Sequence, residues 1–163
     1  LQRENLTNIE NTVKDLDRQI CALLQENARL SLSEIAEQIG TSVPTVSEHV
    51  RRLEAEGTIR EYTTLLRSTD FGYDVTAFIF VDIDSSTSYD GFRRQCRARK
   101  EIQECHAVTG TASHLLKVRV KNTAALEQLL SVIQQWKGVV RTMTNVVLST
   151  HKESPSIVIT TTS

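Results

Sequence analysis

Along residues 42–53 the side chains sort by a helical period. Val46, Val50 and Leu53 recur at i, i+4 and i+7, leaving Ser42, Pro44, Thr45, Ser47, Glu48 and Arg51 on the other side. That polar set has the chemistry to read a base edge. The Arg51 guanidinium offers the two parallel donors that guanine O6 and N7 accept, and Glu48 can accept from the amine of cytosine. Ser42, Thr45, Arg52 and Arg60 suit phosphate oxygens, contacts that position a protein without specifying sequence. A blander arrangement uses the same residues. Arg51 and Arg52 would pair with Glu48, Glu54 and Glu56 on a solvated helix, Glu48 lying four residues before Arg52. His49 fits either a phosphate contact or the helix flank.

No other cluster of residue types suggests a reactive centre. Cys105 and His106 are adjacent, and adjacent strand residues point to opposite faces, so they do not chelate one ion. His106, His114 and His151 are scattered with no third ligand set by spacing, so no metal is expected and strand packing is the expected role. Cys21, Cys96 and Cys105 are odd in number and unclustered, which fits a reducing compartment better than a disulfide framework. A nucleophile elbow, a phosphate loop and a paired-carboxylate motif are all missing, so neither catalysis nor a cofactor is expected. Trp136, the sole Trp, closes an apolar helical stripe and reads as core.

Three helices are needed to position the polar face. Val13, Leu16, Ile20, Leu23 and Leu24 predict a helix over roughly 11–26. Ser31 and Glu34 form a capping-box pattern that opens a second, short helix, with Ile35, Ala36 and Ile39 as its stripe and Gly40 as its stop. Ser42 caps the third, and Pro44 falls in its first turn, where a missing N–H is harmless. The arrangement is a helix-turn-helix: the small Ala36 permits close approach, Gly40 takes a positive φ and Val46 plugs the junction. Gly57 ends the third helix, and Ile59 to Leu66 reads as extended. The domain expected from this pattern covers 11–60, followed by a strand and linker over 61–73.

From residue 74 to 150 the pattern is different. Val75, Ala77, Ile79, Val81 and Ile83 alternate on a strand whose opposite face carries Phe78 and Phe80. There follow a helix over 88–100 with Phe92 and Cys96, a strand over 102–109, a turn at Gly110 to Ser113 and a strand over 114–121. On that strand Leu116, Val118 and Val120 point inward and Lys117, Arg119 and Lys121 outward. Leu126, Leu129, Leu130, Ile133 and Trp136 mark a second helix, Gly138 stops it, and a last strand runs to about 149. The order β-α-β-β-α-β is ferredoxin-like, and the fold class is α+β. Such a fold leaves one sheet face bare. Burying a Phe side chain is worth about 1.5–3 kcal/mol, so an apolar bare face predicts a homodimer, with the N-terminal domain or the tail as the other possible cover. The tail, 151–163, holds Pro155 and many Ser and Thr, and Ile157, Val158 and Ile159 have the composition of one more extended strand.

Composition bounds what remains. The chain has 163 residues, 39% hydrophobic and 24% charged, enough for one domain or two small ones. Its longest apolar run is too short to span a bilayer, so no membrane partner is expected. The opening shows no charged n-region followed by an apolar h-region, so a secretory signal is not expected, and Leu1 in place of Met points to a trimmed start. Net charge is –1, with 8 Lys and Arg against 11 Asp and Glu in residues 1–67. Nucleic-acid binding would therefore rest on the local motif, not on a basic surface. It would need a dimer presenting two recognition helices about 34 Å apart to link two weak events.

The chain resembles the Lrp/AsnC (leucine-responsive, feast/famine) regulators over about 13–150. The resemblance is carried by Leu16-Asp17-Arg18-x-Ile20, by Val50-Arg51-Arg52-Leu53-Glu54-x-x-Gly57-x-Ile59 with Tyr62, by Ile102-Gln103-Glu104-Cys105-His106, by Val108-x-Gly110 and by Leu115-Leu116-Lys117-x-Arg119-Val120. It implies a cytoplasmic, nucleoid-associated prokaryotic regulator of double-stranded DNA, built of dimers that assemble to octamers and tuned by small amino acids. It also implies an effector site between dimers, near Gly110, Thr111, Ala112, Ser113 and the last-strand residues Thr142 and Thr144. Many members carry Gly-Asp-x-Asp at that turn; here Gly110-Thr111-Ala112-Ser113 lacks both carboxylates, the natural partners of an ammonium group. A tetrapyrrole-decarboxylating enzyme of the same architecture, using His106, His114 and Arg119, and a weakly specific chromatin-compacting protein are the competing expectations.

Overall fold

The computed structural model describes residues 15–160. Val13 and the expected helix start at 11 lie outside the described residues, as does the end of the tail. Two compact units are present: one of residues 15–64 and 154–160, the other of Leu65–Glu153.

In the first unit, α1 (15–26), α2 (Leu32–Ile39) and α3 (Val43–Ala55) enclose Ile20, Ile35, Ala36, Val46 and Leu53. The capping box at Ser31 forms as expected: the Glu34 N–H donates to Ser31 Oγ at 3.2 Å, and the Ser31 N–H donates to Glu34 Oε2 at 2.7 Å. The Ser31 N–H, and then the Ser31 hydroxyl donating to the same oxygen at 2.7 Å, hold the Glu34 carboxyl below its ordinary range. Gly40 takes φ 75°, and the N–H groups of Gly40 and Thr41 both donate to the Ala36 carbonyl, which closes the turn tightly. Val46 is 0% exposed, as its plugging role requires.

Two expectations for this unit are corrected. Residues 59–66 form no strand, because nothing among the described residues offers them a ladder; the Ile59 N–H instead turns back to the Leu53 carbonyl at 3.0 Å. Residues 157–159 form no strand either. A side chain replaces the neighbouring strand: Gln25 Nε2 donates to the Ile157 carbonyl at 2.6 Å, and the Ile157 N–H donates to Gln25 Oε1 at 3.0 Å. The tail from 154 thus belongs to the first unit and is not a separate segment.

The second unit runs through a short 3-10 turn (Ser68–Phe71), β1 (Val75–Ile83), α4 (Tyr89–Ala98), β2 (Ile102–Ala107), β3 (His114–Val120), α5 (Thr123–Gln134) and β4 (Val139–Val146). Its sheet is antiparallel in the order β2-β3-β1-β4, the ferredoxin-like arrangement the order of elements predicts. Ala77, Ile79, Val81, Leu116, Val118 and Val120 meet Phe92, Cys96, Leu126, Leu129 and Ile133 on the helix-covered face. Gly138 turns the corner into β4 at φ 89°, where an added Cβ would lie 2.5 Å from Ser88 Cβ. β2 and β4 end two to three residues short of expectation, at Ala107 and Val146, each followed by one last backbone bond, from the Val108 N–H to the Ser113 carbonyl and from the Val147 N–H to the Thr76 carbonyl.

The other face is not the bare apolar surface expected. Phe78 and Phe80 are half-buried and sit in a mixed row: Phe78 faces Lys117 and Asn145, and Phe80 faces Leu115 and Met143. Glu153, in the segment after β4, ion-pairs with Lys117 and lies 3.2 Å from Arg119. The pairing lowers the Glu153 pKa and raises that of Lys117. The chain itself therefore covers the polar end of this face.

His114 is the one buried polar side chain among the described residues, 2% exposed. Its ring packs 4.8 Å from Tyr89 and 4.9 Å from Phe92. Nδ1 lies 3.1 Å from Ser113 Oγ, a bond made when that nitrogen carries the proton. Burial, aided by the Arg93 charge, pushes its pKa below the ordinary 6.5. The unfolded chain then binds a proton that the folded chain refuses, so stability is full above about pH 6.5 and falls as pH drops toward the folded pKa. His114→Phe keeps the ring packing and removes the titration. Urea midpoints measured between pH 5 and pH 7 are expected to slope in the wild type and to flatten in the variant; equal slopes would show that another group titrates there.

Candidate functional site

α3 begins at a well-formed cap. Ser42 Oγ accepts from the Thr45 N–H at 3.3 Å, and the two hydroxyls lie 2.7 Å apart. No acidic residue occupies the first turn, so the positive end of the helix is left uncancelled. With Val46 and Leu53 buried, the residues a half-turn away face outward: Pro44, Glu48 and Arg51 are exposed and Ser47 is partly so. Neither Arg51 nor Glu48 has a partner among the described residues, and Arg60 is likewise exposed without one. Of the pairings of Arg51 and Arg52 with Glu48, Glu54 and Glu56, only Arg52 with Glu56 forms among the described residues, at 4.0 Å; Glu54 accepts from the Tyr62 hydroxyl at 3.0 Å instead. Partial burial of the Tyr62 ring, together with Glu54, pushes the phenol up to about 12.

Arg52 has a different role from Arg51. Its Nη2 donates to both Asp17 oxygens at 2.7 Å, and His49 Nδ1 lies 2.7 Å from Asp17 Oδ1. Asp17 on α1 therefore fastens two consecutive turns of α3. The guanidinium expected on a phosphate is committed to positioning the helix, and His49 sits on the flank. Spacing alone did not reveal this cluster, because its acid lies 32 and 35 residues before its partners.

The residues expected around an effector do not converge. Thr142 and Thr144 stand opposite Val81 and Ile79 in the ladder, so they share the helix-covered face, and Thr142 Oγ1 accepts from Gln134 Nε2 of α5 at 3.0 Å. Ser113 is a strut between strands. Its Oγ donates to the Val81 carbonyl at 3.0 Å and accepts from the Ile83 N–H at 3.1 Å, which leaves little for a ligand. Gly110 supplies the turn's φ of 113°, Ala112 is buried and Thr111 is exposed. On the opposite, open face a hollow of about 270 Å³ is lined by Thr111 and Ala112 with Phe80, Asp82, Arg141 and Met143. Arg141 donates to Asp82 Oδ2 through Nε at 2.9 Å and Nη2 at 2.7 Å, and reaches the Thr111 carbonyl at 3.5 Å. This pair was missed in the sequence because the two residues are 59 apart and meet only through the β1–β4 register.

The competing histidine centre is dispersed. His114 is buried on the helix side, whereas His106 is exposed beside Glu104 and Arg119 is held by Glu153 and Thr76. No group of three or more His, Cys, Asp or Glu suited to a metal occurs among the described residues, and no helix there is long and apolar enough to cross a membrane.

Comparison with known proteins finds matches for both parts of the chain. The family described as "Winged helix-turn-helix DNA-binding" matches residues 14–60, and "Lrp/AsnC ligand binding domain" matches residues 76–157. The chain is 36% identical to the leucine-responsive regulatory protein of Escherichia coli over 151 residues, covering 90% of this chain and 91% of that one. It is 31% identical to the HTH-type transcriptional regulator FL11 of Pyrococcus abyssi over 146 residues, covering 90% and 96%. Among solved structures, the feast or famine regulatory protein of M. tuberculosis complexed with L-methionine superposes with a TM-score of 0.81 at 31% identity, over 88% of this chain and 97% of that one.

Proposed function

The chain belongs to the Lrp/AsnC family of transcriptional regulators, and from that premise we propose that it reads a specific operator through α3 and answers to a small amino acid. The observation that carries the DNA reading is the outward, unpartnered pair Arg51 and Glu48 on a helix fastened from behind by Asp17. Arg51 specifies guanine. Glu48 accepts from cytosine and repels misplaced phosphate, a device for specificity. Ser42, Thr45 and Arg60 at the edges of the face take phosphates, Pro44 and Ser47 fill it, and the α3 N-terminus favours a phosphate. Residues to about 60 form the DNA-binding domain and 74–150 the sensing domain.

Assembly is part of the proposal. A homodimer, built further into an octamer, would cover Phe78, Phe80 and the exposed Met143, and would give the ladder-less 59–66 segment a partner. In the effector hollow, Arg141 suits a carboxylate, Asp82 and the Thr111 carbonyl suit an ammonium group, and Phe80 and Met143 suit an apolar side chain. Asp82 would then provide the carboxylate that the Gly110–Ser113 turn lacks. L-Methionine in the mycobacterial relative supports this ligand class. The dispersal of His106, His114 and Arg119 over two faces favours a regulator without catalysis over a tetrapyrrole enzyme.

The test is retention of the protein's own upstream DNA against excess unrelated DNA, at fixed salt, with and without a panel of amino acids. Specific retention altered by one class of amino acid is the expected result; absence of specific retention would overturn the reading. Asp82→Asn or Arg141→Ala is expected to raise the effector concentration needed at least about tenfold, the effect of losing one charge-assisted hydrogen bond. Retention without effector should stay unchanged. An unaltered response in both variants would move the effector elsewhere.

A further inference from the structure

Cys105 stands opposite the buried Leu116 in the β2–β3 ladder, so its side chain lies on the helix-covered face. Above it is Cys96, buried in the last turn of α4. A short corner joins the two elements: the Arg99 N–H donates to the Cys96 carbonyl and the Ile102 N–H to the Arg99 carbonyl, each at 3.2 Å. Cys105 packs against the core cluster that contains Cys96, and both thiols are free. We propose that Cys96 and Cys105 are a peroxide-responsive pair that closes into a reversible intrachain disulfide, with Cys105 as the attacking sulfur and Cys96 as the resolving one.

The division of roles follows from the surroundings. Cys105 is half-buried, which on its own would raise its pKa; the Cys96 S–H directed at it, with the charges of His106, Arg93 and Arg97, outweighs that burial and brings the value down to about 7. The hydrogen bond to Cys105, and then burial, push the Cys96 thiol up, so it stays protonated until its neighbour has reacted. In the first step the Cys105 thiolate attacks one peroxide oxygen. The S–O bond forms, the O–O bond breaks and the departing hydroxide takes a proton to become water. In the second, the Cys96 sulfur, losing its proton, attacks Cys105. The S–S bond forms, the S–O bond breaks and the hydroxyl leaves with that proton as a second water. Two thiols are oxidised by two electrons and one peroxide is reduced to two waters. The link ties the end of α4 to the strand that leads into the 108–113 turn.

The experiment uses the reduced full chain, one equivalent of hydrogen peroxide, alkylation of remaining thiols and tryptic mass mapping without reductant. The expected product joins the peptide of residues 95–97 to that of 101–117, leaves Cys21 alkylated and reverts with dithiothreitol. In Cys96→Ser, dimedone should trap a sulfenic acid on Cys105, whereas Cys105→Ser should leave Cys96 unlabelled. Wild-type iodoacetamide kinetics give a measure independent of either variant's folding. Cys105 should react roughly tenfold faster than Cys21, whose thiol is raised by burial and Asp17. Survival of all three thiols, oxidation confined to Cys21, a link between two chains, or equal alkylation rates would each overturn the proposal.

Discussion

Arg51→Ala is expected to abolish operator discrimination while leaving the fold intact. A bidentate arginine–guanine contact contributes about 1–3 kcal/mol. The proposed symmetric dimer would make it twice, so the expected loss is about 2–6 kcal/mol, at least roughly thirty-fold in affinity. Arg51 is exposed and makes no hydrogen bond or ion pair with another described side chain, so the fold does not depend on it. Arg51→Lys is expected to retain non-specific binding yet lose discrimination, because an ammonium group is a point charge without the fork. The contrasting variant is Arg52→Ala. Its Nη2 bonds both Asp17 oxygens, so its removal costs about 1–2 kcal/mol of stability after allowing for its partial exposure. Binding competition between operator and unrelated DNA, paired with urea melts, separates the two. An unchanged specificity ratio in Arg51→Ala would remove α3 as the reader.

Phe92→Ala is expected to be the most destabilising single change in the second unit. The side chain is 1% exposed, with the His114 ring 4.9 Å away and the Trp136 ring 5.6 Å away. Truncating a buried Phe costs about 3–5 kcal/mol through lost transfer energy and the cavity left behind. Whole domains are stable by only about 5–15 kcal/mol. The urea midpoint, followed by the fluorescence of Trp136, should fall steeply with the slope of the transition unchanged. Phe92→Leu, which keeps most of the volume, should lose much less. A midpoint within experimental scatter of the wild type would show that α4 does not seal this core.

The local devices of the first unit were legible because each depends on residues a few positions apart. The Ser31–Glu34 box, the Gly40 turn, the Ser42 cap and the buried Val46 are all near-neighbour chemistry, and all appear as expected. The strand order also followed from the alternation of elements, since few topologies join β-α-β-β-α-β without crossing connections. What failed was whatever needed a partner. Residues 59–66 and 157–159 have strand composition, but a strand exists only where another offers its hydrogen bonds.

The candidate sites divide along the same line. The outward face of α3 was readable because helical periodicity fixes which side chains oppose Val46 and Leu53. That Arg51 is free whereas Arg52 is tied to Asp17 was not readable, since charge type and spacing are the same for both and only the packing of α1 on α3 distinguishes them. Thr142 and Thr144 were correctly placed on one face, yet which face depends on the β1–β4 register, and that register turns them away from the 110–113 turn and brings Arg141 to Asp82. By itself the sequence determined the periods, caps and order of elements, because these are set by neighbours along the chain. The tertiary structure alone decided which charges are free and which faces meet, because those depend on contacts 30 to 60 residues apart, about which local spacing carries no information.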